Sequence, residues 1–117
     1  MKKTVPNIYL ENIEDNPYAM LFLKELYLYF FKQHNYNWFN LEQTPYWYHN
    51  QKLFDLYNKG EERRGKWHGF ANVIRSLISL GWMEEGIENE NYLGKKIHCL
   101  PKGLDDIGPV ESLTTLI

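Results

Sequence analysis

The stretch NVIRSLISLGWMEEGIENENYLGKKIHCLPKGLDDI, residues 72–107, decides how this chain is expected to fold. Apolar residues recur at the helical period as far as Leu80, and Gly81 then predicts the end of a helix. Two short strand-like runs follow, WMEEGI and KKIHCL, separated by the turn-rich ENENYLG, in which Gly94 can take a positive φ. We therefore predict a helix followed directly by a β-hairpin over 82–100.

The N-terminal half predicts two helices, over 14–33 and 44–59, each with a polar cap residue followed by proline. The residues that carry the start and stop signals are Asp15, Asn16 and Pro17 for the first helix, and Thr44, Pro45 and Gly60 for the second.

A third helix is predicted over 66–80, because six apolar side chains fall on one arc at the helical period. These side chains are Trp67, Phe70, Val73, Ile74, Leu77 and Leu80. A last helix is predicted over 102–116, interrupted by Gly108 and Pro109.

Composition favours one cytoplasmic domain. At 117 residues the chain can bury a single core, and its net charge of −2 gives no overall attraction to nucleic acid or to an anionic membrane. The lone cysteine, Cys99, excludes an internal disulfide and suits a reducing compartment. The most apolar stretch, 18–31, is too short to span a membrane and carries Lys24 and Glu25. We expect a mainly α-helical protein with a small β-hairpin (α+β) and no membrane segment.

The segment LISLGWMEEG…KKIHCLPKGLDDI resembles MarR- and PadR-like regulators of the winged helix-turn-helix superfamily. In these proteins a recognition helix ends LxxxGWI, a wing follows, and an LTPKG-like turn opens the next helix. The matching residues are Leu77, Leu80, Gly81, Trp82, Leu100, Pro101, Lys102 and Gly103. The resemblance implies a single winged-helix domain over 1–117 and a small DNA-binding transcriptional regulator.

The third helix carries a polar stripe opposite its apolar arc. Its members, spaced i, i+4, i+7 and i+11, are His68, Asn72, Arg75 and Ser79. Because Asn and Arg suit adenine and guanine edges, this stripe favours contact with the major groove of double-stranded DNA. The cations expected to hold phosphates are Arg63, Arg64 and Lys66 before the helix, and Lys95 and Lys96 in the wing. The alternative is that any half-buried helix shows a polar stripe and that EERRGK is a solvated loop.

Two features depart from the regulator pattern. The connection NKGEERRGK is longer than the turn of a tight helix-turn-helix. The wing is also acidic, with Glu84, Glu85, Glu88 and Glu90 before its two lysines, and phosphates repel these groups. Either the helix docks on DNA while the wing tip points away, or the chain is a winged-helix interaction module that binds a protein partner through the glutamates, such as a phage or mobile-element accessory protein or inhibitor.

The first predicted helix is apolar on nearly all sides, which indicates an interface or a central core element. As an interface it would support a homodimer, which would present two recognition helices to two half-sites. The candidate contact residues are Leu21, Phe22, Leu26, Tyr29 and Phe30. The alternative is that the other elements of the same chain wrap this helix.

We expect no enzyme, metal site or cofactor. The four histidines, His34, His49, His68 and His98, lack metal-ligand spacing, and Cys99 is expected to be a small buried side chain. An aromatic cluster precedes the second helix and is expected to pack in the core, although it could also stack bases or line a pocket. Its members are Tyr36, Trp38, Phe39, Tyr46, Trp47 and Tyr48.

Overall fold

A computed structural model describes residues 9–40, 47–65, 67–86 and 96–108. Within these ranges the chain is mainly helical with a small antiparallel sheet, so the predicted α+β class is confirmed. The elements are α1 Pro17–His34, β1 Phe39–Asn40, α2 Gln51–Arg64, α3 Phe70–Ser79, β2 Met83–Glu85, β3 Lys96–Cys99 and α4 Pro101–Ile107. None of the described helices is long and apolar enough to cross a membrane.

Helix α1 is the centre of the fold. Its N-cap is Asn16, whose side-chain oxygen accepts from the Ala19 N–H at 3.2 Å, and Pro17 occupies the first turn as predicted. The Asn16 amide also donates to the Gly60 carbonyl at 2.8 Å, which ties the start of α1 to α2. The sequence placed this start within about three residues, as expected for a boundary marked by a local signal.

The predicted interface on α1 is wrong in its placement. Four of the five candidate contact residues, Leu21, Phe22, Leu26 and Phe30, are buried within the chain itself, and Tyr29 is half-buried. The helix is covered by α2, α3, α4 and the sheet. The other elements of the same chain therefore cover these side chains, which is the alternative that the sequence left open.

Helix α2 begins and ends later than predicted. It starts at Gln51 after the N-cap Asn50, whose side chain accepts from the Leu53 N–H at 3.2 Å. Gly60 does not stop it but lies buried inside it, where an added Cβ would sit 3.1 Å from the Ala19 backbone. The helix ends at Arg64, because Gly65 takes the left-handed conformation with φ 76°. The predicted start signals Thr44 and Pro45 lie outside the described residues.

The later end of α2 shortens the connection to α3 to residues 65–69. Helix α3 was predicted from residue 66 but begins at Phe70, and Trp67 lies in the connection with 63% of its surface exposed. Trp67 is therefore not part of the buried arc. At the other end the prediction is confirmed, since α3 stops at Ser79 and Gly81 takes φ 81°.

The predicted hairpin is confirmed for the strands that the structure describes. Strand β2 pairs antiparallel with β3, and Met83, Glu84 and Glu85 face Cys99, His98 and Ile97. The sequence did not predict β1, a two-residue strand that pairs with the other edge of β3 and gives the sheet order β1-β3-β2. Residues 87–95 lie outside the described part, and with them Glu88, Glu90, Gly94 and Lys95.

Hydrogen bonds connect helix α4 and the residue before it to α1 and to the start of the hairpin. Helix α4 spans Pro101–Ile107, and Gly108 takes φ 77° after it. Residues 109–116 of the helix predicted over 102–116 lie outside the described residues. The Tyr27 hydroxyl on α1 donates to the Leu100 carbonyl at 2.6 Å, and the Trp82 Nε1 donates to the Asp106 carboxylate at 2.9 Å. Hydrogen bonds from Lys102 and Trp82 hold the pKa of Asp106 below its usual range.

Candidate nucleic-acid interface

Helix α3 keeps one face open to solvent. Val73, Ile74, Ser76 and Leu77 are buried, and they hold the helix against the core. On the opposite side, Arg75 and Ser79 are exposed and Asn72 is half-buried, at spacings i, i+3 and i+7. The structure therefore brings together three of the four residues of the predicted polar stripe on one accessible face.

The fourth member, His68, is not on that face, and its predicted placement is wrong. It precedes α3, and only 3% of its surface is exposed to solvent. Its main-chain N–H donates to Glu61 Oε1 at 2.6 Å, and its ring Nδ1 lies 2.8 and 3.1 Å from the two Glu61 carboxylate oxygens. The Tyr57 hydroxyl donates to the His68 carbonyl. A buried side chain held by these three contacts cannot reach a DNA groove.

Arg64 also points inward, which corrects its predicted role at the protein surface. Its side chain is 9% exposed and its guanidinium carbon lies 4.3 Å from the centre of the Tyr9 ring. Its Nε atom is 4.0 Å from Glu61 Oε2, so Glu61 provides the nearby negative charge. Burial, followed by the charge of Glu61, raises the pKa of Tyr9 above its usual range.

The exposed cations of α2 make their contacts with α1 or with the turn before it, and not with α3. Lys52 pairs with Glu25 at 3.2 Å, and Lys59 lies 5.6 Å from the centre of the Tyr18 ring. Arg63 donates through Nε to the Asp15 carbonyl at 3.0 Å. The predicted cluster of Arg63, Arg64 and Lys66 is thus divided, because Arg63 reaches the turn before α1, the Arg64 guanidinium points inward, and Lys66 lies outside the described residues.

The outer face of the sheet carries a cross-strand pair. His98 Nε2 lies 2.8 Å from Glu84 Oε1, and the His98 ring is 4.0 Å from the ring of Trp38. Lys96 is exposed on the same strand as His98. Glu84 therefore has a partner on the sheet surface, and Lys96 is an exposed cation on the neighbouring strand. The sequence indicated the acidic character of β2 but not this pairing.

The aromatic residues divide between core and surface, so the prediction that the whole cluster packs in the core is partly wrong. Phe39 is buried and Trp47 half-buried, whereas Tyr36, Trp38 and Tyr48 are exposed, and Tyr46 lies outside the described residues. Phe54 on α2 and Trp67 before α3 are exposed as well. The Tyr48 ring lies 5.9 Å from the Trp47 ring and the Trp67 ring 5.9 Å from the Tyr57 ring, and the half-buried pair Trp47 and Tyr57 are 5.3 Å apart. We call Tyr48, Phe54 and Trp67 the aromatic rim.

Within the described residues, no group of three His, Cys, Asp or Glu side chains is placed to hold a metal ion. Cys99 is buried on the inner face of β3, and desolvation raises the pKa of its thiol to about 12. The thiol is therefore protonated at neutral pH and is a poor nucleophile.

Comparisons with protein-family models, with curated proteins and with solved structures find no significant match to this chain. The resemblance to MarR- and PadR-like regulators therefore stays a prediction.

Proposed function

We propose that this chain is a small winged-helix protein that binds double-stranded DNA through α3. The element order supports the proposal, since three helices precede the β2–β3 hairpin, and β1 lies between α1 and α2 and completes the sheet. In such a layout the third helix packs one face on the core and offers the other to a major groove. The corrected connection of residues 65–69 is close to the short turn of a helix-turn-helix.

The observation that carries the proposal is the open face of α3. Arg75 is exposed near the middle of the helix, where its guanidinium can form paired hydrogen bonds with guanine. Asn72 lies one turn earlier and Ser79 one turn later. In a groove, the Asn72 amide and the Ser79 hydroxyl could therefore contact base edges beside the Arg75 guanidinium. The rigid packing of Val73, Ile74 and Leu77 behind them fixes the direction of the face.

The charge pattern predicts weak dependence on salt for a DNA-binding protein. Arg75 and Lys96 are the exposed cations on α3 and on the described sheet. One or two phosphate contacts correspond to a slope of log affinity against log salt of roughly −1 to −2. We therefore expect base contacts to contribute more to binding here than in a strongly basic regulator.

The test is the binding of labelled duplex DNA by fluorescence anisotropy over a salt series. We expect Arg75→Ala to weaken binding and relax the base preference, at a cost of about 1–3 kcal/mol at its contacted position. The matched control is Lys59→Ala, which removes one exposed cation on the α1 side and should leave affinity within about twofold. Equal effects of both variants, or no binding at low salt, would contradict the proposal.

The homodimer remains part of the proposal, with the contact placed on a surface other than α1. Two copies would present two α3 helices to adjacent half-sites. Light scattering on the free protein and on the DNA complex measures the number of chains. A single chain on the DNA would remove the dimer from the proposal without affecting the role of α3.

A second candidate function is a winged-helix module that binds a protein, and the aromatic rim favours it. Tyr48, Phe54 and Trp67 are large and exposed, as at protein interfaces. Glu84 and Glu85 add negative charge on β2. This candidate predicts that charge reversal at Glu84, Glu85, Glu88 and Glu90 abolishes binding to a basic partner. Retained partner binding after that reversal would count against it.

A further inference from the structure

Glu61, Tyr57 and His68 form a cluster that joins the end of α2 to the start of α3, and we name it the His68 clamp. The Glu61 carboxylate accepts from the His68 N–H and approaches the His68 ring, while the Tyr57 hydroxyl donates to the His68 carbonyl. Both groups that hold His68 therefore belong to α2. Within the five-residue connection, hydrogen bonds thus hold both the N–H and the carbonyl of His68.

Burial makes this clamp strong. The side chains of Glu61 and His68 are at most 1% exposed, so water cannot replace the hydrogen bonds between them without opening the structure. Arg64 balances the Glu61 charge at 4.0 Å, and the Tyr9 ring lies edge-on to the His68 ring at 5.3 Å. This buried carboxylate thus does two things, holding the connection and neutralising an internal guanidinium.

The clamp lies directly at the N-terminus of α3. The N-cap of this helix is Gly69, which has no side chain with which to cap the first turn. His68 is the residue directly before that cap. The clamp therefore holds the main chain one residue before the N-cap of α3.

We propose that Glu61 and Tyr57 are positioning residues that fix the direction of α3 through His68, and thereby set how tightly α3 binds DNA. The link to DNA affinity rests on the proposed function, whereas the effect on α3 does not. Neither residue contacts DNA in this proposal, since Glu61 is buried and Tyr57 half-buried.

The experiment pairs two variants with two controls. Glu61→Gln keeps an oxygen that can accept the His68 N–H but removes the charge, and Glu62→Gln makes the same change at the next, exposed position. Tyr57→Phe removes the hydroxyl that donates to His68 but keeps the ring, and Tyr36→Phe is its exposed counterpart. If Glu61→Gln fails to fold, Tyr57→Phe still tests the clamp.

Two quantities are measured on folded protein, amide hydrogen exchange by NMR and the Kd for duplex DNA by anisotropy. In Glu61→Gln we expect exchange of the His68 amide and of the first turn of α3 to speed up roughly tenfold or more, and in Tyr57→Phe by about two- to tenfold. We expect weaker DNA binding in both variants and no change in the controls. Loss of the Glu61 charge alone would strengthen binding to DNA, so weaker binding indicates position and not charge.

The outcomes separate this inference from the proposed function. If the wild-type protein binds no DNA, the proposed function fails, and faster exchange in the first turn of α3 still supports the clamp as the device that holds this helix. Unchanged exchange in that turn in both variants overturns the inference. Faster exchange with wild-type DNA affinity also overturns it, because the clamp would then have no effect on binding.

Discussion

Helices α1 and α3 differ in their sequence patterns, and the fold uses them in opposite ways. Helix α1, which is apolar on nearly all sides, buries seven of its side chains, while α3 buries one face and exposes Arg75 and Ser79 on the other. In a chain of 117 residues the helix without a polar face becomes the core, and the helix with one keeps a surface for function. An all-apolar helix is therefore a poor indicator of an interface in a chain of this size.

The largest effect should come from the core of α1. Phe22 is fully buried, and its ring contacts Trp47 at 5.1 Å and Tyr57 at 5.4 Å. We expect Phe22→Ala to lower the free energy of unfolding by about 3–5 kcal/mol, because it leaves a cavity. The control on the open face of α3, Arg75→Ala, should change that free energy by less than about 0.5 kcal/mol. Chemical denaturation compares them, and similar values would contradict the contrast between the two helices.

The packing of α4 on α1 gives the next largest effect. A Cβ at Gly103 would sit 2.3 Å from the Tyr27 ring, and that ring is held by its hydroxyl bond to Leu100. We expect Gly103→Ala to destabilise the protein by about 1–3 kcal/mol through overpacking. Gly69→Ala is the control, since a Cβ there meets nothing within 4 Å and the effect should stay within about 1 kcal/mol. A midpoint of thermal unfolding that is equal in both variants would argue against close packing at Gly103.

Two neighbouring arginines, one with an inward-pointing and one with an exposed guanidinium, should differ in their contribution to stability. Arg64→Ala removes the buried guanidinium beside Glu61, and we expect a loss of stability of about 1–3 kcal/mol. Arg63→Ala removes an exposed guanidinium, and its cost should stay within about 0.5 kcal/mol. Urea denaturation of both variants measures the difference, and the reverse order would show that Arg64 does not lie inside.

The smallest effect concerns Cys99, whose thiol pKa is raised to about 12 by burial. The unfolded thiol ionises near pH 9.0, so the preference of the folded state for the protonated thiol adds to stability only as long as the pH lies below that value. It is lost as the pH rises from 9 towards 12. At pH 8 we therefore expect a thiol reagent to label the folded protein far more slowly than the protein in urea. Equal labelling rates would place Cys99 at the surface.

Local signals explain what could be predicted from the sequence. Pro17 after Asn16, Gly81 after the apolar arc and Pro101 at the first position of α4 each mark a boundary by backbone chemistry, and each boundary lies within a few residues of its prediction. The face formed by Asn72, Arg75 and Ser79 follows from the helical period alone.

Contacts between distant residues explain what was missed. Gly60 continues a helix because Ala19 packs against it, and β1 exists because β3 offers an edge. His68 and Arg64 were assigned to the surface because the sequence does not show that Glu61 is buried between them. The spacing of Glu61, Arg64 and His68 would have suggested their proximity only if α2 had been predicted to continue past Gly60.

Whether the open face of α3 enters DNA is tested most directly by an NMR titration of isotope-labelled protein with duplex DNA. The Nε–H groups of Arg63, Arg64 and Arg75 can be followed separately from the main-chain amides. We expect large shifts at Arg75 and at the amides of Asn72 and Ser79, and little change at Arg63 and Arg64. Shifts concentrated on the aromatic rim, or none on α3, would contradict it.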